Sequence, residues 1–360
     1  VQGKAHNGER RKDRDQEKRR RNPSCHEGIV SRLRNRDVQD SSPFRSVNII
    51  IVNKKQPCHA GDGVALCYNT PMEKWRVRAI GLLFALGFAN WSLWGYALAG
   101  NTLRVTFLDV GQGDAILVET PQGHQILIDG GPDSKVLEKL GKQMPFWDKT
   151  IDLVVLTHPE ADHITGLVAV FEQYNVKSVL WTGVGHKSNI FAAWERALEK
   201  EDARIMLARA GQKVVWSQNF ANGSMEILYP DDSAIATARA VNDTSIVSRF
   251  IFGEQRFLFT GDVTKIAEQK LVDQGIYLDS HVLKVPHHGS KTSSSESFLA
   301  AVSPSLAVIQ VGADNRYGHP AKEVLDRFAA FGISVLRSDL QGDIIITYDP
   351  SKGRTHIRHD

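Results

Sequence analysis

The sequence predicts an α/β domain over residues 101–350, built as sheets covered by helices. Three observations carry this reading. From residue 101 short apolar runs alternate with Gly-rich turns, the pattern of strands. Helical stretches are then interposed between further strands. Strand-rich ends enclose that alternating middle, which requires sheets with helices packed on them.

LRVTFLDV (103–110), AILVET (115–120) and HQILIDGG (124–131) read as strands. IDLVVLTH (151–158) reads as a buried strand, and DHITGLVAVFEQY (162–174) and FAAWERALEK (191–200) as helices. SIVSRFIFG (245–253) and QRFLFTGD (255–262) make a hairpin, and KIAEQKLVDQ (265–274) a helix. HVLKVPHHG (281–289) is a strand running into a loop, and LAVIQVG (306–312) another strand. AKEVLDRFAAFG is a helix ending at Gly332, with the strands ISVLRS and GDIIITYD after it. Residues 351–360 read as a tail.

The part before residue 101 has a different character. Residues 1–100 carry 18 Lys/Arg against 9 Asp/Glu, whereas residues 101–360 carry 26 against 32. The basic surplus is therefore wholly N-terminal, and a site in the second half must rely on local charge to attract a polyanion. Residues 1–71 are expected to be a disordered basic extension, with Met72 a candidate initiator that would leave them outside the native protein. AIGLLFALGFANWSLWGYALA (79–99) is 21 residues without a charge, long enough to span a hydrocarbon core of roughly 30 Å. Lys74, Arg76 and Arg78 precede it and favour export of the domain beyond residue 100. Residues 72–100 are thus expected to be a signal peptide, cleaved after Ala97-Leu98-Ala99, or an uncleaved membrane anchor. The three cysteines, Cys25, Cys58 and Cys67, all lie before residue 100. The second half therefore uses no thiol as ligand or nucleophile.

The chemistry concentrates in Thr157-His158-Pro159-Glu160-Ala161-Asp162-His163, where a buried strand meets a helix. Extended backbone sends alternate side chains to one face, which converges His158, Glu160 and Asp162, and His163 comes next on the turn. Imidazoles and carboxylates together suit zinc, manganese or iron. Three later segments also end strands with candidate ligands: Phe259-Thr260-Gly261-Asp262, Val285-Pro286-His287-His288-Gly289-Ser290 and Arg316-Tyr317-Gly318-His319-Pro320. Ligands at strand ends are what a site on one rim of a sheet needs.

HPEADH resembles the H-x-[HD]-x-D-H signature of the metallo-β-lactamase superfamily. With LDVGQGDAILVET, ILIDGG, NDTSIVSRF, FLFTGD, KVPHHGS and NRYGHP, the stretch from about Leu103 to Tyr348 resembles the C-terminal domain of ComEC-type DNA-uptake proteins and their stand-alone hydrolase relatives. The resemblance implies an αββα four-layer sandwich with one or two divalent transition metal ions, Zn or Mn, at one edge. It puts His158 and Glu160 at the first metal's ligand positions and Asp162 and His163 at the second's. Asp262 matches the bridging aspartate, and His319 resembles the last histidine ligand. His287 or His288 is then a ligand or a general acid near the leaving group. Asp129 matches a buried aspartate supporting the metal loop, and Asp109 and Asp114 frame the Gly-Gln-Gly turn.

Two positions depart from the family pattern. Glu160 stands where His or Asp is usual. The third-motif histidine is replaced by Asn242-Asp243-Thr244-Ser245, with Asp243 or Asn242 as substitutes. More oxygen donors shift the site toward harder ions, so manganese competes with zinc. The implied reaction is hydrolysis of a phosphodiester, DNA or another, by metal-activated hydroxide oriented by Asp162. Lys284 and Lys291 are candidate phosphate contacts. The alternatives are hydrolysis of a lactam, lactone or thioester, and a catalytically weak module of the same fold that binds DNA or a partner.

Overall fold

The computed structural model describes residues 76–87, 102–216 and 223–359. The chain divides into two units, Val1–Gly95 and Tyr96–Asp360. In the first, residues 76–87 form a helix with Val77, Leu82, Leu83 and Phe84 exposed. No helix among the described residues is long and apolar enough to cross a membrane. The expected basic extension over residues 1–71, and the rest of the apolar segment after residue 87, lie outside the described residues.

The second unit opens with β1 (Leu103–Phe107), β2 (Ile116–Glu119) and β3 (Gln125–Ile128), an antiparallel meander. Helix α1 (Lys135–Gln143) and a short strand β4 (Thr150–Ile151) come next. Then β5 (Leu153–Leu156), α2 (Ala161–Gln173), β6 (Asn175–Val176), β7 (Ser178–Trp181), α3 (Asn189–Lys200) and β8 (Arg204–Leu207) alternate. Here β5, β7 and β8 add to the sheet in parallel, as helical crossovers require. Beyond them lie β9 (Lys213–Val215), β10 (Ser224–Tyr229), the short helix α4 (Asp232–Thr237), β11 (Val247–Phe252) and β12 (Gln255–Phe259). The chain finishes with α5 (Lys265–Asp273), β13 (Val282–Lys284), α6 (Glu296–Val302), β14 (Leu306–Ile309), α7 (Lys322–Ala330), β15 (Ser334–Arg337), α8 (Ser338–Gln341), β16 (Ile344–Asp349) and β17 (Arg354–His359).

The strands form an eight-stranded sheet in the order β17-β16-β1-β2-β3-β5-β7-β8 and a seven-stranded sheet in the order β15-β14-β13-β12-β11-β10-β9. Each sheet has an antiparallel part and a parallel part. The period-two alternation of side chains divides the apolar residues into three layers. Ile116, Val118, Ile126, Ile128 and Val155 of one sheet meet Phe250, Phe257, Phe259 and Val308 of the other in the central core. Leu117, Leu127, Val154 and Val179, on the opposite faces of the same strands, pack on α1, α2 and α3 through Leu140, Leu167 and Trp194. Leu258, Leu283, Ala307 and Ile309 pack on α5, α6 and α7 through Leu271, Phe298 and Phe328. The result is helix, sheet, sheet, helix: the expected αββα sandwich.

Residues 351–360 are more than a tail, because β17 pairs antiparallel with β16 over Arg354–His359. All six β17 residues are exposed, so no apolar alternation marks the strand in the sequence. Helix α2 lies directly on the turn after β3. The His163 carbonyl accepts the Gly130 amide (2.8 Å), and the Gly166 amide donates to the Gly131 carbonyl (3.0 Å). A Cβ on Gly166 would sit 1.9 Å from the Gly130 carbonyl oxygen, so this approach requires glycine.

Candidate metal centre

The C-terminal ends of β5, β12, β13 and β14 open on one rim of the sandwich. From there four ligand atoms, from Asp162, His163, Asp262 and His288, lie within 4.8 Å of one another. Asp162 and His163 occupy the first turn of α2, immediately after the buried strand β5 delivers Thr157 and His158. His158 lies beside them, its ring 4.2 Å from that of His163.

The three buried imidazoles share one arrangement. Each Nδ1 has a hydrogen-bond partner, and each Nε2 has none. His163 Nδ1 meets the Asp129 carboxylate (2.8 Å), His158 Nδ1 meets the Thr157 hydroxyl (3.0 Å), and His288 Nδ1 meets the Gln310 carbonyl (2.8 Å). Nε2 of all three is buried without a hydrogen-bond partner, as is Oδ1 of Asp262. A buried polar atom without a partner costs free energy, so these atoms are set out for a ligand. Partners on the outer nitrogens fix ring orientation and leave Nε2 as the donor, as metal-binding histidines require.

Asp129 holds this geometry from behind. Its backbone takes the left-handed conformation, φ 58°, which Asp tolerates better than most residues. From there its carboxylate accepts the Thr157 amide (2.8 Å) and hydroxyl (2.7 Å) as well as facing His163. Burial pushes its carboxyl above the usual range, although His163 and Thr157 oppose that. His287 and His288 are both left-handed, with φ 51° at each. That conformation is uncommon for non-glycine residues. It turns His288 into the cluster, 3.3 Å from Asp262 and 3.4 Å from Asp162, while His287 stays half-exposed.

Electrostatics point to the same ligand class. Asp114, Asp129 and Asp262 are fully buried, with Asp162 half-buried beside them. The buried lysine facing them is Lys284, paired with Asp114 and 3.6 Å from Asp262, its ammonium also donating to the Gly261 carbonyl (3.1 Å). Burial pushes Asp262 up, but His288, His163 and Lys284 outweigh it and hold the carboxyl well below its usual range. Burial pulls His163 and His288 down, but the carboxylates, Asp262 foremost, raise both well above the ordinary imidazole value. Protons on these rings thus balance the carboxylates, and a divalent cation performs the same task. His158 stays neutral, lowered to about 3 by burial and by His163. Imidazoles that exchange their protons for the ion, carboxylates and buried, unpartnered Nε2 atoms fit one or two divalent ions.

The other expected residues fall in different places. Glu160 is half-buried and lines the cavity beside the cluster, its carboxyl raised by burial and by Asp162 and Asp262. His319 also lines the cavity, stacked on Tyr317 (5.8 Å, 22°) and edge-on to His287 (5.9 Å), outside the four-atom group. Asn242 and Asp243, in the place of the third motif, stand behind the site. The Asp243 carboxylate accepts the Thr264 hydroxyl (2.5 Å), and the Ser245 hydroxyl accepts the Asp262 amide (3.2 Å). Lys284 was expected to touch phosphate, but the structure buries its ammonium between carboxylates, out of a substrate's reach. Lys291 is exposed. Asp109 braces its own turn by accepting the Gly111 amide (3.2 Å), and it pairs with Lys135.

The cavity over the cluster has a volume of about 280 Å³ and is lined by Gln112, Glu160, Asp162, His287, His319 and others, among them His186. His186, on the loop after β7, is a residue the motifs did not reveal. Its only signal is its place in a Gly-rich loop at the end of a strand, Thr182-Gly-Val-Gly-His186.

Comparison with known proteins agrees with this geometry. The metallo-beta-lactamase superfamily profile matches residues 108–312, more than half of the chain. The chain therefore belongs to the metallo-beta-lactamase superfamily. It is 30% identical over 271 residues to ComE operon protein 3 of Bacillus subtilis, covering 70% of this chain and 34% of that protein. It is 33% identical over 268 residues to competence protein ComA of Neisseria gonorrhoeae, covering 74% of this chain and 35% of that one. The chain thus spans about a third of the length of the curated relatives it matches. Among solved structures, the metallo-beta-lactamase fold protein YhfI of Bacillus subtilis aligns with a TM-score of 0.48 and 13% identity, covering 69% of this chain and 99% of that one.

Proposed function

We propose that the domain hydrolyses phosphodiesters, with DNA as the substrate class, using one or two divalent transition metal ions. The observation that carries this is the convergence of His163 and His288 with Asp162 and Asp262 beneath an open cavity, with the unpartnered Nε2 of His158 buried beside them. His158, His163, Asp162, Asp262 and His288 hold the ion, with Glu160 within reach of a second. A divalent ion supplies Lewis acidity there: a water able to attack at neutral pH, and charge opposing that on the phosphoryl oxygens. Asp162 is half-buried and lines the cavity, where its carboxylate would orient the attacking water. His288 serves the ion, since its two nitrogens are committed to the Gln310 carbonyl and to the cluster. His287 and His319 face the cavity with ring values lowered, first by burial. Both assist the leaving oxygen as N–H donors.

The relative named as competence protein ComA supports DNA as the phosphodiester. Lys74, Arg76 and Arg78 ahead of residues 79–99 support an exported or membrane-anchored domain. Digestion of intact cells with an external protease checks the latter, and protection of the domain contradicts it.

The substrate class is tested with the manganese- or zinc-loaded full chain, offered single-stranded DNA, bis(p-nitrophenyl) phosphate and a cephalosporin. Cleavage of the phosphodiesters and not of the lactam is expected. Lactam cleavage alone overturns the substrate class. A metal-loaded protein that binds DNA and cleaves nothing replaces the enzyme with a binding module.

A further inference from the structure

The cavity wall continues outward from the metal cluster as a series of rings. His163 and His288 have ring centroids 5.5 Å apart, His288 and His287 6.4 Å, His287 and His319 5.9 Å, and His319 and Tyr317 5.8 Å. The last step is a parallel stack at 22°, whereas the two before it are edge contacts. Tyr317 lines the cavity and is 71% exposed, so the ring face not covered by His319 is open to a ligand. A large aromatic left exposed at a cavity mouth, with another ring fixed behind it, is a stacking surface.

The loop carrying the two rings is braced. The Asn315 side chain accepts the His319 amide (2.9 Å) and donates to the carbonyls of His319 (2.8 Å) and Gly312 (2.9 Å). Order in the loop reduces what binding must spend on fixing the ring. Nδ1 of His319 and of His186, both residues of the same cavity, is buried without a partner. An open aromatic face at the mouth of the cavity matches a nucleobase joined to a sugar and phosphate, and matches a simple aliphatic ester poorly.

We propose that Tyr317 is a specificity residue that stacks a nucleobase flanking the scissile phosphate, so that the site selects nucleotide esters with a base in that position. This rests on the phosphodiester reading above. It adds a demand on the substrate that the metal cluster itself does not make. Stacking on an aromatic side chain tolerates all four bases, so selection is for the presence of a base and not for sequence.

The test uses the metal-loaded full chain and three substrates: thymidylyl-thymidine, and the same dinucleotide lacking the base on the 5′ or on the 3′ side of the phosphate. Wild type is expected to lose about tenfold in kcat/KM when one of the two bases is missing, from the usual strength of base stacking. Tyr317→Ala should erase that preference, cleaving the intact and the base-less dinucleotide alike. Tyr317→Phe should retain it, which separates stacking from a role for the hydroxyl. In calorimetry, Tyr317→Ala should weaken thymidine 5′-phosphate by a similar factor and leave inorganic phosphate unchanged. Equal cleavage of all three substrates by the wild type overturns the inference while the phosphodiester reading stands. So does a Tyr317→Ala variant that keeps the preference, or one that binds phosphate as poorly as the nucleotide. A wild type that cleaves no phosphodiester overturns both together.

Discussion

The inner and outer halves of the site are built from the same residue types and are held differently. In the inner half, His158, His163 and His288 each have one nitrogen engaged by Thr157, Asp129 or Gln310, which leaves one buried, unpartnered atom per ring. In the outer half, His186 and His319 carry an unpartnered Nδ1, and Tyr317 offers a ring face. A cation needs donors fixed to within fractions of an ångström, which the inner bracing provides. An organic substrate needs surfaces and spare hydrogen-bonding atoms, which the outer half keeps. Imidazole alone therefore does not define a ligand; what binds the far side of the ring decides.

Substitutions that separate the two halves should differ in size. The largest effect falls on the platform beneath the inner half. Gly166→Ala drives a methyl into the Gly130 carbonyl and should cost about 3 kcal/mol or more, read as a lowered urea midpoint. Asp129→Asn keeps the shape but loses the charge that orients His163. It should weaken metal binding about 10- to 100-fold by competition with a chelating dye, with a small change in melting temperature. His319→Ala acts in the outer half and should lower kcat/KM about tenfold, the scale of one lost hydrogen bond to a charged group, with metal content unchanged. Loss of metal in that variant would merge the two halves and break the comparison.

A control outside both halves has the smallest effect. Burial pushes the Asp152 carboxyl up, but His124, Lys177 and the Gln125 amide outweigh it and leave the carboxyl below its usual range. A folded-state value below the unfolded one gives stability that is present above the unfolded pKa of about 3.9 and is lost as pH falls through the folded value. Asp152→Asn should therefore destabilise by about 1 kcal/mol or less at pH 7, discounted for its partial exposure, and the difference should shrink below pH 4. A penalty constant down to pH 2 would assign it to packing instead of charge.

The inner half was the more legible in sequence. His158 to His163 is a contiguous cluster at a strand-to-helix boundary, where local periodicity alone brings ligands together. The direction of His288 was not legible, because it depends on two successive left-handed residues that no spacing rule anticipates. Lys284 had a readable signal: a lone cation in the apolar run Val282–Val285 on the same face as Val282, hence inside the sandwich. His186 had almost none, since its placement depends on where β7 ends relative to distant loops. The layers were legible because both faces of the central strands are apolar, whereas β17, exposed along its length, left no pattern.

The central claim is that the buried, inward Nε2 atoms and Asp262 constitute a metal centre. The most direct test is elemental analysis of the purified full chain after exposure to manganese or zinc and removal of free ion, wild type beside Asp262→Ala. One or two ions per chain in the wild type, lost in a variant that remains folded by circular dichroism, is the predicted result. A folded wild type that retains no metal under these conditions, or an Asp262→Ala variant that retains as much as the wild type, would contradict it.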